Sequence, residues 1–296
     1  MPLAKTNTIE LFYESFGPAE APAIVLIMGL GSQLVRWKSG LCNALVERGF
    51  RVIRFDNRDV GRSTRCDAMP LPDLRTMMAG GMASPLPYTL DTMADDTLGL
   101  LDALNIGQAH MVGASMGGAI AQIIAARYPA RTRSLTCIMS SSGNPLLPPP
   151  TPAAATALFA PLPMGRDRAS LVADAIKRHL AIGSPAYPAP LTDLQAMYGE
   201  EFDRGFYPPG VVRQLAALIA HGDRRPLLRD IRCPTTVLHG RDDPLIPLAC
   251  GEDIARNIRQ ARLSPVDGMG HDLPEALSAV IVEAILSATG PAAPPA

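Results

Sequence analysis

At 296 residues the chain can bury a large core, and 47% hydrophobic residues supply the side chains to fill it. A formal net charge of -1 with 19% charged residues, and no run of lysines or arginines, sets nucleic acid aside as a partner. The opening MPLAKTNTIELFYESFG lacks the apolar core of a signal peptide, and no stretch of roughly 18 apolar residues could span a bilayer, so the chain reads as cytoplasmic, with no membrane partner.

Short apolar runs of β type then alternate with longer helical patterns. AIVLIMG (23–29) reads as a buried strand running into the glycine turn MGLG. Trp37, the single tryptophan, stands at the start of the next helix and is expected to pack beneath that turn. FRVIRFD (50–56) is a second strand. The DNRDVGRS that overlaps its end, with Asp56, Arg58, Asp59 and Arg62, reads as a charge-paired turn, because it lacks the glycine-rich cradle and lysine of a phosphate site. Met77, Met78 and Met82 are compatible with a soft apolar surface, although methionines also fill gaps. LDTMADDTLGLLDALN is helical in spacing, AHMVGAS (109–115) is a strand, GGAIAQIIAARYPA is a helix closed by Pro129, and SLTCIMS (134–140) is a strand again.

The rhythm breaks after Ser142. From Gly143 to about Asp230 the chain is proline-rich, with helical fragments such as ASLVADAIKRHLAI and GVVRQLAALIA and no clear strand. Phe159, Met164, Met197, Tyr198, Phe202, Phe206 and Tyr207 carry too much apolar surface there for a disordered linker. The expected organisation is a core of residues 1–142 and 231–296 with residues 143–230 inserted as a helical cap. PTTVLHG (234–240) resumes the strands, ARLSPV precedes a glycine turn, a helix begins near Pro274, and GPAAPPA is a short loose tail. Strands alternating with helices imply an α/β fold, a mainly parallel sheet covered on both faces, whose sites lie at the carboxyl ends of the strands. The five cysteines, Cys42, Cys66, Cys137, Cys233 and Cys250, are scattered and odd in number, so they suggest neither disulfides nor a zinc site but small buried hydrophobes.

Gly113-Ala114-Ser115-Met116-Gly117 matches G-x-S-x-G and stands between an apolar strand and a helix, where a tight elbow would lift the Ser115 hydroxyl above the sheet. A serine hydroxyl is a poor nucleophile without a base to take its proton and an acid to orient that base. Of five histidines, His110 opens a strand, His179 and His221 fall in the insertion, and His239 lies inside PTTVLHG. His271, in DGMGHDLPE, alone occupies a loop at a strand's carboxyl end. For the acid, RDDPLIP offers two neighbours, Asp242 and Asp243.

Taken together, IMGLGSQLVRW, FDNRDVGRS, VGASMGG, HGRDDPLIP and GMGHDLPE resemble the α/β-hydrolase superfamily, most closely its bacterial serine esterases, including the anthracycline methylesterase-like branch. The resemblance covers nearly the whole chain apart from the insertion. It implies the α/β-hydrolase fold, a triad in the order Ser115, Asp243, His271, with Asp243 preferred because the family's acid is the fourth residue of G-x-x-D after the penultimate strand. It implies an oxyanion hole from the backbone N–H groups of Met116 and Leu30, and neither metal nor organic cofactor. One departure stands out: Met28-Gly29 replaces the common His-Gly pair, so the histidine that usually braces this loop is missing.

The expected function is hydrolysis of a small, mostly apolar ester through an acyl-enzyme. Carbon–carbon bond hydrolases, lactonases and cofactor-free perhydrolases use the same triad, and a receptor that binds without turnover is the alternative of another class. The insertion is expected to present an apolar inner face to a neutral substrate. No arginine or lysine is tied to carboxylate binding, Arg204 and Arg213 being the ones to watch.

Overall fold

A computed structural model describes residues 2–81, 86–160 and 167–290; the expectations for Met82, Met164 and the tail after Gly290 lie outside the described residues. In chain order the elements are β1 (Leu3–Thr6), β2 (Ile9–Phe16), β3 (Ala23–Ile27), α1 (Ser39–Glu47), β4 (Arg51–Phe55), α2 (Leu74–Met78), α3 (Leu90–Ala103), β5 (Ala109–Ala114), α4 (Met116–Arg127) and β6 (Thr132–Ile138). There follow α5 (Pro152–Phe159), α6 (Arg168–Leu180), α7 (Leu191–Gly205), α8 (Pro208–His221), α9 (Arg225–Leu228), β7 (Thr235–Gly240), α10 (Leu248–Asn257), β8 (Arg262–Val266) and α11 (Ser278–Thr289). The eight strands form one sheet in the order β1-β2-β4-β3-β5-β6-β7-β8. β2 pairs antiparallel with β1 and β4, and every pairing from β4 to β8 is parallel.

Alternation along the strands divides the core in two. Val25, Ile27, Met111 and Leu135 face one side with Leu90, Leu101 and Ile120 of α3 and α4. Ile24, Leu26, Val112 and Leu238 face the other with Leu41, Leu45 and Ile281 of α1 and α11. β3, β5 and β7 are buried throughout and β6 everywhere but Arg133, so β3 is a continuous apolar run while the others add only small or hydrogen-bonded polar residues to an apolar centre. β1 and β2 lie at one edge of the sheet, and their mixed pattern of buried and exposed residues explains why the amino-terminal stretch does not stand out as strand. Trp37 is fully buried among Met28, Leu41 and Cys42. Met77 is buried while Met78 is exposed, so these two do not share a surface. The five cysteines are free, and burial pushes the Cys137 thiol up to about 12, which makes it a poor nucleophile.

Helices α5 to α8 stand between β6 and β7. The two ends of this stretch meet: Arg224 donates its backbone N–H to the Ser142 carbonyl at 2.7 Å, and its buried guanidinium binds the Ser141 carbonyl at 2.8 Å and Gln122 at 3.2 Å. No helix among the described residues is long and apolar enough to cross a membrane.

Candidate active site

Ser115 lies between the end of β5 and the first turn of α4, with φ 54° and ψ -119°. That conformation is strained for a residue with a side chain and persists only where the surroundings impose it. Small neighbours permit it. A β-carbon at Gly113 would meet the Gly117 carbonyl oxygen at 2.2 Å, and one at Gly117 would meet the Ile27 carbonyl oxygen at 2.1 Å. Ser115 donates its N–H to the Ile138 carbonyl at 2.9 Å, and its own carbonyl accepts from the Ser140 hydroxyl at 2.8 Å, so the elbow is fastened to the end of β6.

The structure brings the three residues singled out in the sequence into one row. His271 Nε2 is 3.1 Å from Ser115 Oγ, and His271 Nδ1 is 2.7 Å from Asp243 Oδ2. A carboxylate accepts, so Nδ1 carries the proton and Nε2 presents its lone pair to the serine hydroxyl. Asp243 is buried, and its Oδ1 accepts the N–H groups of Leu245 at 2.9 Å and Ile246 at 2.8 Å, leaving Oδ2 for the imidazole. Asp242 is exposed and turns the other way, to the Gly268 N–H at 2.8 Å. His239 sits beside Asp243, donates through Nε2 to the Ile246 carbonyl at 2.7 Å, and is pushed below the usual imidazole range by burial, so it stays neutral and braces the same turn.

The loop after β3 approaches the serine so closely that a β-carbon at Gly29 would sit 3.0 Å from Ser115 Cβ. Among the described residues, no protein acceptor takes the backbone N–H of Leu30 or of Met116. The missing histidine is replaced by contacts that local sequence does not reveal. Gln214 of α8 accepts the Gly31 N–H at 2.8 Å and donates to the Arg58 carbonyl at 2.8 Å. Asn57 donates to the Met28 carbonyl at 3.0 Å, and Asp56 accepts the Leu34 N–H at 2.8 Å.

Asp56, Arg58 and Asp59 of DNRDVGRS each pair with a residue far away in the chain. Asp56 meets Arg204 at 2.7 Å, Arg58 meets Asp96 at 2.5 Å, and Asp59 meets Arg213 at 3.4 Å. Arg204 and Arg213 therefore clamp α7 and α8 onto the loop that follows β4.

A cavity of about 770 Å³ opens over Ser115 and His271, well within the size of small-molecule sites. Met139, Ile182, Leu194, Met197, Leu215 and Leu245 supply apolar wall. The expectation of an apolar inner face on residues 143–230 is corrected in part, because Arg178, His179, Asp193, Tyr198 and Glu200 line the cavity from that stretch, and Arg36, Lys38 and Asp272 line it from outside that stretch. Arg36 is held by Glu201 at 2.7 and 2.8 Å and stacks over the Tyr198 ring, while Arg178 donates to the Ala157 and Ala160 carbonyls. A second cavity of about 240 Å³ shares Leu30, Arg36, Leu158 and Tyr198 with the first. Among the described residues, no group of His, Cys, Asp and Glu is placed to hold a metal ion.

This sheet, elbow and cavity define a hydrolase of the α/β type, and the alpha/beta hydrolase fold family model matches residues 22–275: the chain belongs to that family. It is 26% identical to rhodomycin D methylesterase DnrP of Streptomyces peucetius, over 96% of each chain. It is 28% identical to a protein of Caulobacter sp. (strain K31) that carries a carbamate hydrolase name, over 94% of this chain and 97% of the other. Among solved structures it is similar to the enol-lactonase from Burkholderia xenovorans LB400, with a TM-score of 0.73, 26% identity, and 96% and 98% of the two chains covered.

Proposed function

We propose that the protein is a serine ester hydrolase working through Ser115, His271 and Asp243. The observation that carries this reading is the hydrogen-bonded row of these three side chains, with the serine held at positive φ beneath the cavity. Ser115 Oγ attacks the substrate carbonyl while His271 Nε2 takes its proton, and Asp243 steadies the resulting imidazolium through Nδ1. The N–H groups of Leu30 and Met116 receive the developing oxyanion, a contribution of about 10²–10³ in rate per donor. His271 returns the proton to the leaving alcohol, and water repeats the sequence on the acyl-enzyme. No step requires a cofactor. Residues 143–230 act as a cap over residues 1–142 and 231–296, and a neutral, mostly apolar ester is the substrate class that the aliphatic wall favours. The methylesterase similarity supports ester cleavage, and the names of the other two relatives place carbamates and lactones on the test panel.

The test is Ser115→Ala with p-nitrophenyl, lactone and carbamate substrates. A loss on the order of 10⁴ or more in kcat, with an unchanged circular dichroism spectrum, is expected. A fluorophosphonate should add one adduct to the wild type and none to the variant. Ester turnover by a folded Ser115→Ala protein overturns the assignment, and no turnover of any substrate by the wild type leaves a binding protein.

A further inference from the structure

The loop that carries His271 is fastened by the stretch that follows α6. Three consecutive loop residues each bind it. Gly270 donates its N–H to Ser184 Oγ at 2.9 Å, and His271 donates its N–H to the Ile182 carbonyl at 2.7 Å. Asp272 Oδ1 accepts both the Ser184 N–H, at 3.1 Å, and the Ser184 hydroxyl. The contact is close enough that a β-carbon at Gly270 would meet the Gly183 carbonyl oxygen at 2.5 Å. Two residues upstream, Ala186 donates its N–H to the Gly268 carbonyl at 3.2 Å. His179 Nε2 stands 3.5 Å from Asp272 Oδ2, and burial pushes the histidine down and the carboxyl up from their ordinary values.

Ser184 is the centre of this arrangement. Its hydroxyl accepts from one side of His271 and donates to the other, so a single oxygen joins Gly270 to Asp272 around the imidazole-bearing residue. On the side of the sheet the loop is tied by Asp242 to Met269 and Gly268, by Arg241 to Asp267 and by Asp243 to the His271 ring, but the backbone N–H groups of Gly270 and His271 are taken by the stretch after α6. We infer that Ser184 and Asp272 are positioning residues for His271, so that the helical segment holds the general base in register with Ser115 and Asp243 as well as covering the cavity. This rests on the reading of His271 as the base. An imidazole must meet Ser115 at 3.1 Å and Asp243 at 2.7 Å together, and a displacement of about 1 Å is worth about 10² in rate.

The experiment compares wild type, Ser184→Ala, Asp272→Ala and Asp272→Asn for kcat and KM on a small neutral ester, fluorophosphonate labelling rate and Tm. Ser184→Ala and Asp272→Ala should each lower kcat by about 10–100-fold, with the labelling rate falling in parallel and KM within about threefold of wild type. Asp272→Asn keeps an acceptor oxygen for Ser184 and should recover most of the loss. A lowered Tm with kcat and labelling rate unchanged overturns the inference, as does wild-type behaviour throughout. Should Asp272→Ala not fold, Ser184→Ala decides alone, since it removes only one hydroxyl. Ser115→Ala run alongside separates the two readings: its inactivity together with full activity in Ser184→Ala rejects the positioning role and leaves the triad standing.

Discussion

The α-carbon of Gly117 lies against the carbonyl of Ile27, leaving 2.1 Å between that oxygen and any added β-carbon. The Met28 carbonyl oxygen stands 2.8 Å from the same point, so both obstacles are backbone at the end of β3. Gly117→Ala must therefore push α4 away from the strand that leads into the Leu30 turn. The expected result is a loss of about 1–3 kcal/mol in urea unfolding, with ester turnover down by more than about tenfold. Gly40, with open space around it in α1, is the control: Gly40→Ala should raise stability by about 0.5–1 kcal/mol.

Asp243 and Asp242 make a sharper pair, since only the first faces His271. Asp243→Asn should cost on the order of 10⁴ in kcat, because an amide in that place favours the wrong imidazole tautomer. Asp242→Asn should stay within about fivefold of wild type. Equal losses in steady-state kinetics would move the acid to Asp242.

Chain length probes the cavity. Burying each methylene contributes about 0.8 kcal/mol, so two added acyl carbons should raise kcat/KM about tenfold until the wall is reached. The lining holds three bases, Arg36, Lys38 and Arg178, against four acids, Asp193, Glu200, Asp272 and Glu275, and so offers no excess positive charge to a carboxylate. A p-nitrophenyl series from acetate upward, beside a matched ester bearing a free carboxylate, measures both effects. A flat series, or preference for the charged ester, contradicts them.

Acid should weaken the fold through buried histidines. His110 is pushed down to about 4, first by burial and then by Arg133, whereas in the unfolded chain it titrates at about 6.5. Between those values the unfolded chain binds a proton that the folded chain refuses. The stability is thus present above the unfolded value and lost as pH falls towards the folded one. His179, His221 and His239 shift in the same direction. Between about pH 7 and pH 5, His110 alone should account for about 2 kcal/mol, and His110→Gln should flatten that limb of the unfolding free energy.

Much of this organisation is legible in sequence, for physical reasons. β3, β5, β6 and β7 read as strands because burial on both faces keeps their centres apolar, and Ser115 reads as an elbow because only small neighbours tolerate its bend. β1 and β2 do not stand out, since both mix apolar and polar residues and buried and exposed positions. Gln214, Ser184 and Arg36 carry no local signature. What distinguishes them is contact across long sequence separations, as in the Gln214 brace on Gly31, and packing of the helical segment creates that contact. The acids and bases of DNRDVGRS are visible as charges, but their partners Asp96, Arg204 and Arg213 lie far along the chain.

Since Ser142 and Arg224 meet, the stretch between β6 and β7 should be open to exchange for another. A stretch that leaves and re-enters the core at adjacent points can be swapped for another of different length at little cost in loop entropy, with β6 and β7 undisturbed. The contacts around Ile182 and Ser184 set the condition on such a graft. A foreign cassette that restores the outline of the cavity yet offers nothing to Gly270, His271 and Asp272 should give a protein that folds, binds ester and turns it over slowly.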